Sequence, residues 1–207
     1  MRQLAILVSW VFHPLLLCTY LVILLTQFLP HFLLIPTASI WMFVGLVFIM
    51  TFVLPVLNLL MFKTFGSLPS LQMHQRRDRI VPFVLISIIY AVVAWMFYYK
   101  ISANVNFNKV MLIVAVLVVT ATVITFFEKI SVHSMAAGGL AGIIIPLNKV
   151  VADNSLLWPS VLIIVVAGAV MSARLYLNAH NMRQVMYGGA AGLMIGLTGM
   201  LLLFRGH

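Results

Sequence analysis

The chain has 207 residues, 64% of them hydrophobic and only 7% charged, with a formal net charge of +9 at pH 7. A soluble domain carries roughly a quarter charged residues, so this chain cannot cover a water-facing surface and reads as an integral membrane protein. The positive balance comes from missing acid, because Asp78, Glu128 and Asp153 are the only carboxylates. It fits loop cations that set topology or a pocket for anionic lipid or phosphate, and it calls for no nucleic-acid partner.

From the N-terminus, "MRQLAILVSWVF" has the single Arg and apolar run of a signal peptide. The run continues to about Leu29 without a small-x-small cleavage site, which fits a first membrane span. At roughly 20 apolar residues per span, seven candidates follow: residues 4–29, 36–61, 80–99, 109–127, 135–151, 157–173 and 184–204. Pro14 and Pro55 are expected to kink the first two. The fifth is short and carries Pro146, so it is expected to be tilted, kinked or re-entrant. No alternating pattern of a membrane barrel occurs. The expected fold is therefore all-α: a polytopic bundle of six to seven transmembrane helices in one domain over residues 1–207. Cys18 is the only cysteine, which excludes an internal disulfide and a thiolate metal cluster.

Three polar junctions, residues 63–79, 128–134 and 174–183, follow the second, fourth and sixth spans. Two spans separate each from the next, so all three are expected on one membrane face, together with Arg2. Eight of the twelve Lys and Arg fall on that face and four, Lys100, Lys109, Lys149 and Arg205, on the other. The positive-inside rule makes the first face cytoplasmic. Setting aside Arg76, Arg79 and Arg174 as site residues leaves five against four, which decides nothing.

Each junction has a plain reading and a chemical one. "HQRRDRIVPF" is a basic cap at a span end, or a phosphate clamp in which Arg76 and Arg79, three apart, share a helix face. "EKISVHSMAAGG" puts Ser131 and His133 ahead of the Gly138–Gly142 pair, whose close packing would carry His133 into the bundle. "SARLYLNAHNMRQ" separates Arg174 from His180 by five residues; His180, Gln184, Gly188, Gly192 and Gly196 then repeat every four. On a helix these form one stripe pressed against a neighbour, with an ionisable group at the mouth of the bundle. Arginines and two histidines on one face suit phosphate-ester chemistry: guanidiniums hold the oxygens, one His attacks phosphorus and another protonates the leaving oxygen. Three scattered acids cannot build the carboxylate sites that hold magnesium, so no metal or other cofactor is expected.

In this order of motifs the sequence resembles the type 2 phosphatidic acid phosphatase superfamily, the membrane lipid phosphatases related to vanadium haloperoxidases. Its motifs are Lys-x6-Arg-Pro, Pro-Ser-Gly-His and Ser-Arg-x5-His-x3-Asp. The third matches Arg174 and His180, the second keeps Ser131 and His133, and the first survives only as "RRDRIVP". The resemblance implies His180 as nucleophile, His133 as general acid, and Arg174, Arg79, Arg76 and Ser131 as phosphate ligands. The departures are Ile130 and Val132 for Pro and Gly, Gln72 for the Lys, Pro82 three residues after Arg79, and Gln184 where the family has the orienting Asp. Gln supplies a hydrogen bond to the imidazole but no charge. The expected function is a metal-independent phosphatase for a lipid phosphate or diphosphate, working through phosphohistidine. Its candidate substrates are a phospholipid, an isoprenoid phosphate or a lipid A type molecule, with the tails left in the bilayer of a bacterial inner membrane. The alternative is a weak or inactive relative that binds or transports a phospholipid. A purely structural membrane subunit explains the clustered Arg and His poorly.

Overall fold

The computed structural model describes residues 1–64, 77–101, 104–150 and 155–204, and no strand occurs among them. The first apolar stretch is two helices, α1 (Arg2–Val11) and α2 (Pro14–Phe28), meeting at a 61° bend. The cause is local. A residue before proline is pushed out of the helical region, and His13 is extended (φ −63°, ψ 137°) while Pro14 opens α2. The break strands the last carbonyls of α1. The Tyr20 hydroxyl donates to that of Val11 at 3.0 Å, and the Ser9 carbonyl is used at the site below.

After the short α3 (Pro30–Leu33) and a 3-10 turn (Thr37–Ser39), α4 (Ile40–Phe48) runs through a π-helical turn (Ile49–Val53) into α5 (Leu54–Thr64). The stretch Thr37–Thr64 forms one apolar span. Pro55 has no N–H to offer the Thr51 carbonyl four residues back. The widened turn lies just ahead of Pro55, and the buried Tyr90 hydroxyl donates to the Thr51 carbonyl at 2.8 Å. Tyr90 belongs to α6 (Arg77–Tyr99), which packs on α7 (Val105–Phe127). The Ser87 and Thr122 hydroxyls meet there 2.6 Å apart, the polar glue expected between membrane helices.

Then come α8 (Val132–Val150), α9 (Leu157–Tyr176) and α10 (Met182–Leu203). By length and composition, Thr37–Thr64, α6, α7, α9 and α10 can each cross a membrane, and the bent α1–α2 pair raises this to six. The fifth expected span, α8, is apolar over Val132–Asn148 and shorter than the others. Its side chains are mostly buried, with Met135, Ile143, Ile144 and Leu147 at most 2% exposed. Its neighbours are α10, α9, α2 and α7.

Against α10 it packs backbone on backbone. A Cβ added at Gly196 would lie 2.6 Å from the Gly139 carbonyl oxygen, and one at Gly188 2.6 Å from that of Ser131. A Cβ at Gly192 would overlap the Met135 carbonyl oxygen. The four-residue glycine stripe of α10 therefore lies on Met135, Gly139 and Gly142 of α8, while Gly138 meets Gly189 beside it. One end of the bundle holds the end of α7, the start of α8, and the turn from α9 to α10, tied by the Ser131 N–H donating to the Gln184 carbonyl at 3.3 Å. At the other, the Asn106 amide donates to the Phe32 carbonyl at 2.9 Å, Phe32 stacks on Phe204, and the Lys109 ammonium sits 4.7 Å from the Phe204 ring centroid.

Candidate active site

The turn between α9 and α10 builds the site's most ordered corner. α9 ends because Asn178 takes the left-handed conformation (φ 51°), which asparagine tolerates better than most residues. The Ala179 N–H then bonds back to the Arg174 carbonyl at 3.2 Å. This closed turn occupies the five residues between Arg174 and His180 and keeps both side chains at one cavity. Asn181 caps α10 in a reciprocal box: its side chain accepts the Gln184 N–H at 2.9 Å, and its own N–H donates to Gln184 Oε1 at 3.4 Å.

That cap decides a proton. His180 Nδ1 lies 2.9 Å from the same Gln184 Oε1. A backbone N–H can only donate, so the atom facing Asn181 is the amide oxygen. The His180 nitrogen beside that oxygen must then carry the hydrogen, leaving Nε2 with a free lone pair. His180 is only 7% exposed. Burial, opposed by the Gln184 bond and reinforced by the charges of Arg79, Arg174 and Lys129, pulls its pKa down to about 4. The imidazole is neutral at pH 7. Lys129, in the turn before α8, is itself lowered by burial and then by Arg79 and Arg174.

His180, Arg174, Arg79 and His133 line one cavity of about 210 Å³, and His13 joins them. Arg79, near the start of α6, is 8% exposed. The Arg174 Nε is buried with no hydrogen-bond partner among the described residues, an N–H still free to meet an acceptor. No Asp or Glu is among the lining residues. The cavity's polar end is thus a set of donors and imidazoles with anion-binding character. Among the described residues no group of three or more His, Cys, Asp or Glu has the arrangement of a metal site.

His133 is less free than His180. Its Nε2 lies 3.2 Å from the Ser9 carbonyl, which the break before His13 left without a helical partner. A carbonyl only accepts, so Nε2 carries hydrogen, and in the neutral ring Nδ1 keeps its lone pair. The His13 ring stands edge-on to that of His133, centroids 5.4 Å apart, and its Nδ1 accepts the Leu15 N–H at 3.4 Å.

Two expected residues stand elsewhere. Ser131 does not line the cavity and is fully buried. Its oxygen caps α8, accepting the Ser134 N–H at 3.4 Å and the Ser134 hydroxyl at 2.8 Å, under the Gly188 backbone. In this structure its oxygen serves the helix cap and does not border the cavity. Gln184 lies behind His180, on a separate small cavity with Lys129 and Tyr187, so it acts on the site only through His180. Arg76 lies outside the described residues.

Sequence reasoning missed His13, Ser9 and Lys129. The signal for His13 was a histidine directly before a mid-span proline, which exposes it at a break. Ser9 contributes a carbonyl, which no side-chain pattern reveals. No family model, no curated protein and no solved structure matches the chain.

Proposed function

We propose that this chain is a membrane phosphatase that hydrolyses a lipid phosphate or diphosphate through a phosphohistidine intermediate, without a metal. The observation that carries this reading is the meeting of four groups on one cavity: an oriented neutral imidazole, two guanidiniums and a second imidazole. In this scheme Arg79 and Arg174 hold the phosphate oxygens. The His180 Nε2 lone pair forms a bond to phosphorus while the bond to the lipid oxygen breaks, and that oxygen takes a proton from His133 Nδ1. The Ser9 carbonyl supports His133 while it is doubly protonated. Water then attacks phosphorus, gives its proton to His133, and the nitrogen–phosphorus bond breaks to release inorganic phosphate. The resemblance to type 2 phosphatidic acid phosphatases supports the same assignment of roles.

A specific observation favours a second reading. With Gln184 behind His180, no carboxylate among the described residues stabilises the ring as it becomes positive, and a cavity that binds a phosphate headgroup without cleaving it fits the same donors. The two readings separate in one assay. Purified protein in detergent micelles is offered long-chain alkyl phosphate, isoprenyl diphosphate and phosphatidate, and inorganic phosphate is measured with and without EDTA. Release that survives EDTA and is lost in His180→Ala supports the phosphatase. Binding of these lipids without release, in folded protein, sinks it in favour of the binder.

A further inference from the structure

We propose that the apolar part of the same cavity is a binding subsite for one hydrocarbon tail, so that the favoured ligand carries its phosphate at the end of a single chain. This rests on the phosphatase reading for the head and makes it more specific for the tail. It differs from the expectation that the tails stay in the bilayer.

The lining changes character in one direction along three helices. His13–Pro14 begin α2, Arg79 stands near the start of α6, and His133 near the start of α8, all at the polar end. From there the cavity wall continues to Leu21, Tyr90 and Ile143. At 1.5 Å rise per residue those floor residues lie about 10, 16 and 15 Å deeper along their helices. Between the two ends stand Leu17, Cys18, Ile86, Val114, Leu117 and Leu140, with no charge among them.

The few polar atoms on this wall are already engaged. The Tyr90 hydroxyl donates to the Thr51 carbonyl, so its ring borders the cavity. The Thr122 hydroxyl pairs with Ser87, and the Cys18 sulfur sits 3.7 Å from that of Met111. Water needs two to four polar partners to occupy such a space, and this wall does not provide them. An apolar occupant fits instead.

Size then chooses among lipids. An apolar cavity of about 150 Å³ holds benzene. The present cavity of about 210 Å³ takes one chain and not the paired chains of a diacylglycerol. A phosphate held by Arg79 and Arg174 and a tail running toward Tyr90 and Ile143 form one continuous ligand. A phosphatidate, whose chains diverge next to the phosphate, has to leave both outside.

The test is photo-crosslinking of the full chain in detergent micelles. Three probes carry a diazirine near the tail end: a decyl phosphate, a geranyl phosphate and a diacyl phosphatidate. Adducts are mapped by mass spectrometry. The single-chain probes are expected to label cavity-wall residues such as Leu21, Tyr90 and Ile143 over outward-facing Trp41, Leu112 and Val116 by about tenfold or more. The stronger of the two identifies alkyl or isoprenoid as the tail. The diacyl probe is expected to label the outward-facing set. Single-chain adducts confined to the outer surface, or equal chamber labelling by the diacyl probe, overturn the proposal. Labelling needs no turnover. Chamber adducts in a protein that releases no phosphate sink the phosphatase reading alone, whereas phosphate release with purely outward labelling sinks the tail subsite alone.

Discussion

The two flanks of α8 are built on opposite principles. Toward α10 the side chains are removed: Gly138 meets Gly189, Gly139 meets Gly192 and Gly196, and Gly142 meets Gly196, until backbone touches backbone. Toward α2, α6 and α7 the side chains are large, and they leave the cavity between them. In a membrane no hydrophobic force pulls helices together beyond what lipid tails supply, so close contact arises where small residues permit it. The tight flank holds Ser131 against Gln184 and so fixes the backbone beneath His180. The loose flank supplies the space in which His180 can act. Rigidity and vacancy lie on two faces of one helix.

The largest effect should come from filling the tight flank. Gly192→Leu would drive its side chain into the Met135 backbone, which cannot move aside by changing rotamer. A cost of about 3 kcal/mol or more is expected, read as loss of monodisperse protein or a large fall in Tm in detergent. The matching change on the loose flank is Ala136→Leu, at the cavity wall. It has space, and stability should stay within about 1 kcal/mol. Equal losses for the two variants would erase the distinction between the flanks.

The next effect concerns how the tight flank serves the site. Gln184→Leu removes the acceptor of His180 Nδ1 and breaks one arm of the α10 cap. Leaving that donor unmet is worth about 1–3 kcal/mol, so turnover should fall roughly ten- to hundredfold in folded protein. Gln184→Glu keeps the length and both hydrogen bonds and adds the missing charge. Phosphate release should rise above the parent level. A Leu variant as fast as the parent would show that Gln184 does not orient His180.

A pH profile sharpens the same point. With the His180 pKa pulled down to about 4, the lone pair of Nε2 is present across the neutral range. At saturating substrate, phosphate release should rise as pH falls from neutral and His133 gains the proton it delivers, then fall as pH nears 4 and the Nε2 of His180 is protonated. In Gln184→Glu the new carboxylate favours the imidazolium, so the acid limb should move to higher pH. The sign for stability is the same. A depressed His contributes stability above its unfolded pKa near 6.5, and this is lost as pH falls toward 4.

The smallest effect lies in the turn. Asn178 has φ 51°, so Asn178→Val should cost about 1–2 kcal/mol while Asn178→Gly stays near neutral, read from paired denaturation curves.

Much of this was legible in the residues. The two helices between successive junctions brought Arg79, His133, Arg174 and His180 to one end, and the four-residue glycine period pointed α10 at a neighbouring helix. The Gln184–His180 bond was expected from a one-turn helical spacing, yet His180 stands ahead of the Asn181 cap and outside α10, and Gln184 reaches it from the cap. What the pattern could not carry was atomic commitment. Ser131 looked like a ligand because its spacing to His133 is motif-like, yet an N-cap uses the same residue type at the same place. The fifth expected span became a short interior helix because apolarity alone does not separate a lipid-facing helix from one enclosed by others. His13 and the Ser9 carbonyl entered through a break whose cause, Pro14, was visible but whose freed carbonyls were not.

The most direct measurement is to trap the intermediate. The protein is mixed with a ³²P-labelled single-chain lipid phosphate, quenched in base, where phosphohistidine survives, and digested for mass spectrometry. Label is expected on the peptide carrying His180, absent in His180→Ala and retained in His133→Ala, in which the leaving group loses its proton donor but the nucleophile remains. Phosphate release with no label on His180, or label that persists in His180→Ala, would contradict the account.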